Sequence, residues 1–382
     1  MQRRRLAYLH SPEIEALSYP PDCPFKTERA GKTRRRLRSL GLLGGTDQVE
    51  IAPRKATLAE LGRIHTPAYL AELQRAAAGD LTVEALHMGI GGHDTPVFKD
   101  LFSYGSWASG AGLVGADLLL SGAADVAFNL YGGLHHAFAD RAGGFCYLND
   151  VALACDHLAR AGKRTAYVDV DAHHGDGVQS ILYERNDVLK ISLHESGKTL
   201  FPWGGFEDEI GSGAGLGFNV NIPLPADIYD EAYMRAFGSV AMPLLKAFNP
   251  DCLVIGLGMD ILAGDPLTHL RLTNNVVVDV LQSLLALDRP MLVAGGGGYH
   301  VENTVRGWAL AWSTCSGDEF AEMHHPVVGG NMLASSDWVG GLRDHGRPVF
   351  AEQRLAVDAE LQATCERLQT ALFPLHGVIA DG

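Results

Sequence analysis

At 382 residues and 47% hydrophobic side chains, the chain has material for a large core, and α/β enzymes of this length are often built around one sheet. A formal charge of −14 argues against nucleic-acid binding, which depends on clustered Lys and Arg, and no apolar run approaches the roughly 20 residues that cross a bilayer. The six cysteines, Cys23, Cys146, Cys155, Cys252, Cys315 and Cys365, form no CxxC pair, so reduced thiols are expected and any metal must rely on Asp and His.

The start, MQRRRLAYLH, lacks the long apolar stretch of a secretory signal, which points to the cytoplasm. Residues 1–38 hold ten basic side chains (Arg3, Arg4, Arg5, Lys26, Arg29, Lys32, Arg34, Arg35, Arg36, Arg38) against four acids, and KTERAGKTRRRLRSL reads as a solvated helix face. Thr66-Pro67 before AYLAELQRAA reads as an N-cap followed by Pro in the first turn. From there, β-type apolar runs at 125–131, 164–170, 187–193, 251–258 and 290–295 alternate with helix-like stretches at 149–162, 177–185, 230–248 and 274–287. That alternation predicts a parallel sheet wrapped by helices. No repeat, linker or domain boundary interrupts it, so residues 1–382 read as a single domain. Pro- and Gly-rich patches at 18–25 and 202–217 read as long loops, which tend to shape binding sites.

Four strands run directly into unusual polar clusters: GGLHHAFADRAGGFCYLND (132–150), DAHHGDG (171–177), GMDILAGDP (258–266) and GGGGYH (295–300). Open α/β sheets bind ligands at the carboxyl ends of their strands, so four distant segments are expected to converge on one site. Asp171 and His173 are two residues apart; in extended backbone both point to one side and can meet one cation. With Asp260 they make the three protein ligands of a catalytic zinc with an open position. His135 and His136 then suit general base and acid, with Asp169 and Asp176 as spare carboxylates to fix their tautomers. Tyr299, launched from a four-glycine turn, suits an oxyanion donor. Singly, each has a blander reading: a polar turn, a surface histidine pair, a packed aromatic. Their joint occurrence at successive strand ends describes metal-assisted amide hydrolysis.

This set resembles the zinc-dependent histone deacetylase family with its bacterial relatives, the acetoin-utilisation proteins and acetylpolyamine amidohydrolases. The likeness runs from RIHTPAYL (63–70) to GGGGYHVENTVRGWA (295–309). It implies an arginase/deacetylase-like α/β fold in which an open, mainly parallel sheet is flanked by helices, with the active site at the carboxyl ends of strands. Residue by residue it implies Zn2+ on Asp171, His173 and Asp260, His135 partnered by Asp169, and His136, the main base and acid, partnered by Asp176. Tyr299 matches the carbonyl-polarising tyrosine. Gly144, Phe145 and Phe201 match a narrow tunnel that grips the stem of an acylated lysine, and Asp94, in GGHDTP, a rim aspartate for the substrate backbone.

A structural potassium ion (K+) is implied at Asp169, Asp171, His173, Ser192 and Leu193, and a second monovalent ion at Leu182, Arg185, Val188 and Phe218. Leu267, in GDPLTH, takes a rim position where a polyamine-selective relative carries an acidic gatekeeper, which weakens the case for a polyamine substrate. Leu134 and Met259 depart from common family residues without being ligands. The implied reaction is hydrolysis of acetylated or longer acylated lysine side chains on a protein or peptide, with acylated small amines as the alternative.

Overall fold

The computed structural model describes residues 4–317 and 341–379; Arg3, counted in the basic segment, lies outside them. Eight strands form one sheet: Leu6–Leu9 (β1), Gln48–Ile51 (β2), Val126–Asn129 (β3), Thr165–Asp169 (β4), Val188–Glu195 (β5), Asn219–Leu224 (β6), Cys252–Gly256 (β7) and Met291–Ala294 (β8). Their order is β2-β1-β3-β8-β7-β4-β5-β6, and every pairing is parallel.

Period-two alternation divides the strand residues between two cores. Val168, Ile191 and Ile255 face a layer with helices Asn275–Leu285, Val301–Ser316 and Ala351–Leu372, while Tyr167, Val254 and Leu292 face Pro67–Ala77, Leu101–Leu120 and Asp150–Arg160. With both faces covered, strands such as CLVIG are buried end to end and read as unbroken apolar runs.

All five expected strands are present within about three residues of their limits. Three others, β1, β2 and β6, carry weaker sequence signals. β1 is only four residues long, and β2 and β6 are the sheet edges. At an edge Pro223 costs no ladder hydrogen bond on its open side, and charge such as Glu50 is tolerated.

The expected helix over 230–248 contains a π turn, Phe237–Ala241, between Asp230–Ala236 and Met242–Phe248. Pro243 lies two residues beyond its end, and the wider turn accommodates a residue that lacks an N–H. Thr66 caps helix Pro67–Ala77 by accepting from Tyr69 N–H. The basic helix, Glu28–Ser39, is largely neutralised by the chain's own acids: Arg34 and Arg38 both reach Glu50 of β2, and Arg35 pairs with Glu15. Among the described residues, all six cysteines are buried free thiols, and no helix is long and apolar enough to cross a membrane.

The functional consequence lies in the strand order. The four strands that end in polar clusters, β3, β8, β7 and β4, are consecutive neighbours. Their carboxyl ends therefore open onto one crevice at the middle of the sheet.

Candidate active site

At the end of β4 the chain folds onto its own carboxylates. Asp171 N–H donates to Asp169 Oδ1 (3.1 Å), and His173 N–H donates to Asp171 Oδ1 (2.9 Å). Ala172 N–H reaches across to Asp260 Oδ1 (2.9 Å) beyond β7. His173 Nδ1 is thereby held 2.9 Å from Asp260 Oδ2 and 3.3 Å from Asp171 Oδ1. One ligand atom from each of Asp171, His173 and Asp260 lies within 4.8 Å of the others, and all three residues are buried. Glycines make this closeness possible: a Cβ at Gly297 would stand 2.0 Å from Asp260 Oδ2, and one at Gly258 2.1 Å from Asp171 Oδ2.

Burying two carboxylates side by side is costly without a positive charge between them. Burial and the neighbouring Asp171 push the Asp260 carboxyl up to about 7. Burial also opposes charge on His173, but the two carboxylates outweigh it and raise the ring to about 10. Burial likewise works against the Asp171 carboxylate, and His135 and His173 hold it below its usual range. A nitrogen and two carboxylate oxygens aimed at one point fit a divalent cation of the zinc type with a coordination position left for a further ligand.

The histidine pair stands beside this cluster. His135 Nδ1 donates to Asp169 Oδ2 (2.9 Å) and His136 Nδ1 to Asp176 Oδ1 (2.7 Å), since a carboxylate can only accept. The two Nε2 atoms meet at 3.1 Å, and His135 Nε2 lies 3.9 Å from Asp171 Oδ1. Burial disfavours charge on both rings, yet Asp169 and Asp171 raise His135 to about 9. Burial and that neighbouring charge push His136 down to about 4, so one ring is charged and the other neutral.

Tyr299 closes the far side. Its backbone N–H donates to Asp265 Oδ2 (2.7 Å), and its ring lies 6.1 Å from His173 and 5.9 Å from Phe145. Phe201 packs edge-on at 5.2 Å from His136. The two aromatics thus approach the site from the tyrosine and histidine sides respectively. Gly144 N–H donates to Asp94 Oδ2 (2.8 Å) and Phe145 N–H to Asp94 O (3.1 Å), so Asp94 braces this wall. Leu267 is half-buried, its N–H on Asp265 Oδ1 (3.0 Å). Gly144 has φ 50°, and a Cβ there would stand 2.3 Å from His136 Cδ2. Gly144→Ala is therefore expected to push the His136 ring aside and, with His136 as the expected base, to lower kcat/KM by roughly 10²-fold with metal content unchanged, since a displacement of about 1 Å at such a group costs that much. Steady-state kinetics with elemental analysis would check it, and wild-type kinetics would show that His136 is not displaced.

The sequence matches the description "Histone deacetylase domain" over residues 23–315. The chain belongs to the histone deacetylase family. It is 37% identical to the acetoin utilization protein AcuC of Bacillus subtilis (strain 168) over 82% of this chain and 83% of that protein. Histone deacetylase 8 of Xenopus tropicalis is 36% identical over 79% of this chain and 81% of its own length. The crystal structure of a histone deacetylase homologue from Aquifex aeolicus superposes with a TM-score of 0.83 at 29% identity, covering 96% of this chain and all of that one.

Several residues behind this histone deacetylase site carry no obvious sequence signal. Arg29, within the segment expected to be a solvated face, is only 2% exposed. Its guanidinium donates to Gly298 O (2.7 Å) and Gly296 O (3.0 Å), clamping the turn that carries Tyr299, and lies against the rings of Phe25 and Trp308. Among the nine described basic side chains of that segment, Arg29 has thus turned inward. Asp265, readable as a mere turn residue, anchors Tyr299 and Leu267. Asp150 accepts from Gly133 and Leu134 N–H ahead of the histidines.

Asn149 Nδ2 donates to His135 O and Ala137 O, and Asn149 N–H donates in turn to His65 Nε2, whose Nδ1 donates to Phe138 O. His65 must be neutral to accept there, and burial pushes it down to about 4. Its contribution to stability is present above pH 6.5 and is lost as the pH falls toward 4, about 2–3 kcal/mol by pH 4.5. Denaturant titrations at pH 7 and 4.5 should show that loss, and His65→Gln should shrink it. An unchanged difference in the variant would dismiss the linkage.

Asp169 and Ser192 are register partners on β4 and β5, with Leu193 next along the strand. Ser192 Oγ lies 2.8 Å from His194 Nδ1. At the expected second monovalent site, Lys190 Nζ lies 2.8 Å from Leu182 O and 3.0 Å from Arg185 O.

Proposed function

We propose that the chain is a zinc-dependent deacylase of one catalytic domain that hydrolyses the amide of acetylated or longer acylated lysine side chains to a free amine and a carboxylate. The supporting observation is the convergence of two aspartate-fixed imidazoles, His135 and His136, on the Asp171–His173–Asp260 cluster with Tyr299 across from them. A divalent ion on those three residues supplies Lewis acidity toward the acyl carbonyl and its attacking water.

The protein's own groups then divide the remaining work. His136 is held neutral, with Nδ1 fixed on Asp176, so its Nε2 takes the proton from the attacking water. The same nitrogen returns that proton to the lysine amine as the C–N bond breaks. His135, held by its Nδ1 on Asp169 Oδ2, presents its other nitrogen to the negative charge of the tetrahedral species. Burial and the nearby carboxylates push the Tyr299 phenol well above its ordinary value, so it stays protonated and donates to the developing oxyanion.

Phe145 and Phe201 grip the aliphatic stem, and Asp94 braces the wall beside it while offering acceptor capacity to a substrate backbone. The oxygens at Asp169, Asp171, His173, Ser192 and Leu193 suit a hard monovalent ion, proposed as potassium. The absence of a charge at Leu267 favours an acylated lysine over a cationic polyamine, and the reduced cysteines fit a cytoplasmic location.

The test compares kcat/KM on acetyl-lysine peptides, longer acyl-lysine peptides and acetylated polyamines, using protein of measured metal content. Acyl-lysine peptides are expected to lead by at least about tenfold. A polyamine preference of that size would replace this substrate with the small amines, and no acid release from any of them would dismiss the reading.

A further inference from the structure

Helix Asp176–Leu182 leads into a turn through Arg185 and then into β5, and carbonyls left over at a helix end need a partner. Here the partner comes from β5. Lys190, only 4% exposed, sends its Nζ back to Leu182 O (2.8 Å) and Arg185 O (3.0 Å), while its backbone N–H takes Phe218 O (3.0 Å). The Arg185 guanidinium is turned away onto Asp187 and Asp156. No carboxylate among the described residues lies within ion-pair distance of Lys190 Nζ, so carbonyl oxygens are what hold this buried ammonium.

Burial pulls Lys190 down to about 7, and the carbonyl oxygens, which can only accept, oppose this by favouring the ammonium with its three donors and positive charge. Carbonyl cages of this kind substitute for the hydration shell of potassium, and an ammonium satisfies the same oxygens while needing no ion from solution. Of the set Leu182, Arg185, Val188 and Phe218, two carbonyls are thus taken by the ammonium and a third, Phe218 O, by the Lys190 backbone N–H, which leaves little for a second free cation.

We propose that Lys190 is the resident, tethered cation of the Leu182 and Arg185 carbonyls, and that it positions helix Asp176–Leu182 and thereby Asp176, whose carboxylate holds His136. The catalytic half of this inference rests on the proposed role of His136. The cation half does not.

Two measurements separate them. Crystals of the wild-type protein soaked in thallium(I) acetate should show no anomalous peak among Leu182 O, Arg185 O, Val188 O and Phe218 O; a peak there would overturn the proposal whatever the enzyme does. Lys190→Ala opens the cage, and its melting temperature and kcat are expected to fall, kcat by about tenfold, with KM unchanged. Ammonium or potassium, but not lithium at equal ionic strength, should restore both by more than they raise the wild type.

Lys190→Met fills the space without a charge and should resist that rescue. Should Lys190→Ala fail to fold, Lys190→Met and the thallium soak still decide. Wild-type melting temperature and kcat in Lys190→Met, or an alanine variant whose salt response equals that of the wild type, would overturn the proposal. Cation-specific restoration of melting temperature in a protein without deacylase activity would keep the tethered cation and remove only its catalytic consequence.

Discussion

Asp171→Ala is expected to leave the protein without stoichiometric metal and to abolish deacylase turnover, a loss of roughly 10³-fold or more. The magnitude follows from the several kcal/mol of charge stabilisation that a bound metal lends to the reaction. Two effects on stability oppose one another. Burial and Asp171 together push the Asp260 carboxyl up to about 7, and removing Asp171 relieves the second of these. The same change strips Gly297 N–H and His173 N–H of their acceptors, at 2.6 and 2.9 Å, and each orphaned buried donor costs about 1–3 kcal/mol.

Asp171→Asn is therefore the cleaner form, because an amide oxygen can still accept while the charge is gone. A chelator should lower the melting temperature of the wild type, since a ligand held only by the folded state stabilises it by about 2.7 kcal/mol at a hundred times its Kd. It should leave Asp171→Asn unmoved. Elemental analysis and thermal melts with and without chelator test both points. Stoichiometric metal with normal turnover in either variant would remove Asp171 from the ligand set.

Tyr299→Phe should cost about 10²–10³ in kcat with metal content and fold intact, the usual loss for one oxyanion donor. The geometry makes this a clean substitution. The backbone of Tyr299 is fixed by Asp265 and its turn by Arg29, and its ring keeps its place beside Phe145 and His173. Its hydroxyl has no hydrogen-bond partner among the described residues, so removing it strands nothing. Single-turnover kinetics, with a melt to confirm unchanged stability, would isolate the chemical step. Near-wild-type turnover with metal bound would transfer oxyanion stabilisation to other groups.

These two outcomes depend on residues legible in the chain for different reasons. Asp171 and His173 could be paired from spacing alone, because residues two apart in extended backbone share a side. Asp260 and Tyr299 could be linked to them only through the rule that ligands gather at carboxyl ends of parallel strands. Three strands are hard to see in the sequence: β1 follows directly on a basic run, β2 is a half-exposed edge, and β6 interrupts its apolar residues with Asn219, Asn221 and Pro223, buried positions that look like loop. The π turn at Phe237–Ala241 left no pattern, since a continuous helix and one with a single widened turn share nearly the same periodicity.

The charged residues mark the boundary most sharply. Arg29 sits in a run of basic residues of which Lys32, Arg34, Arg35 and Arg38 pair with acids, and its sequence neighbourhood says nothing about the carbonyls of Gly296 and Gly298, some 270 positions later in the chain. Lys190 lies in the run DVLKISL, where a lone lysine ordinarily marks a solvent-facing side; the sheet is covered on both faces there, and the ammonium turns back onto Leu182 and Arg185.

By itself the sequence determined which chemistry was available and on which strand ends it stood, because period-two geometry and turn composition are local properties. Only the tertiary structure decided that β3, β8, β7 and β4 lie side by side, that four separate segments meet within hydrogen-bonding distance, and which charges are buried. Strand order, burial and the resulting splitting of His135 from His136 arise from contacts between residues far apart in the chain, and no local pattern encodes them.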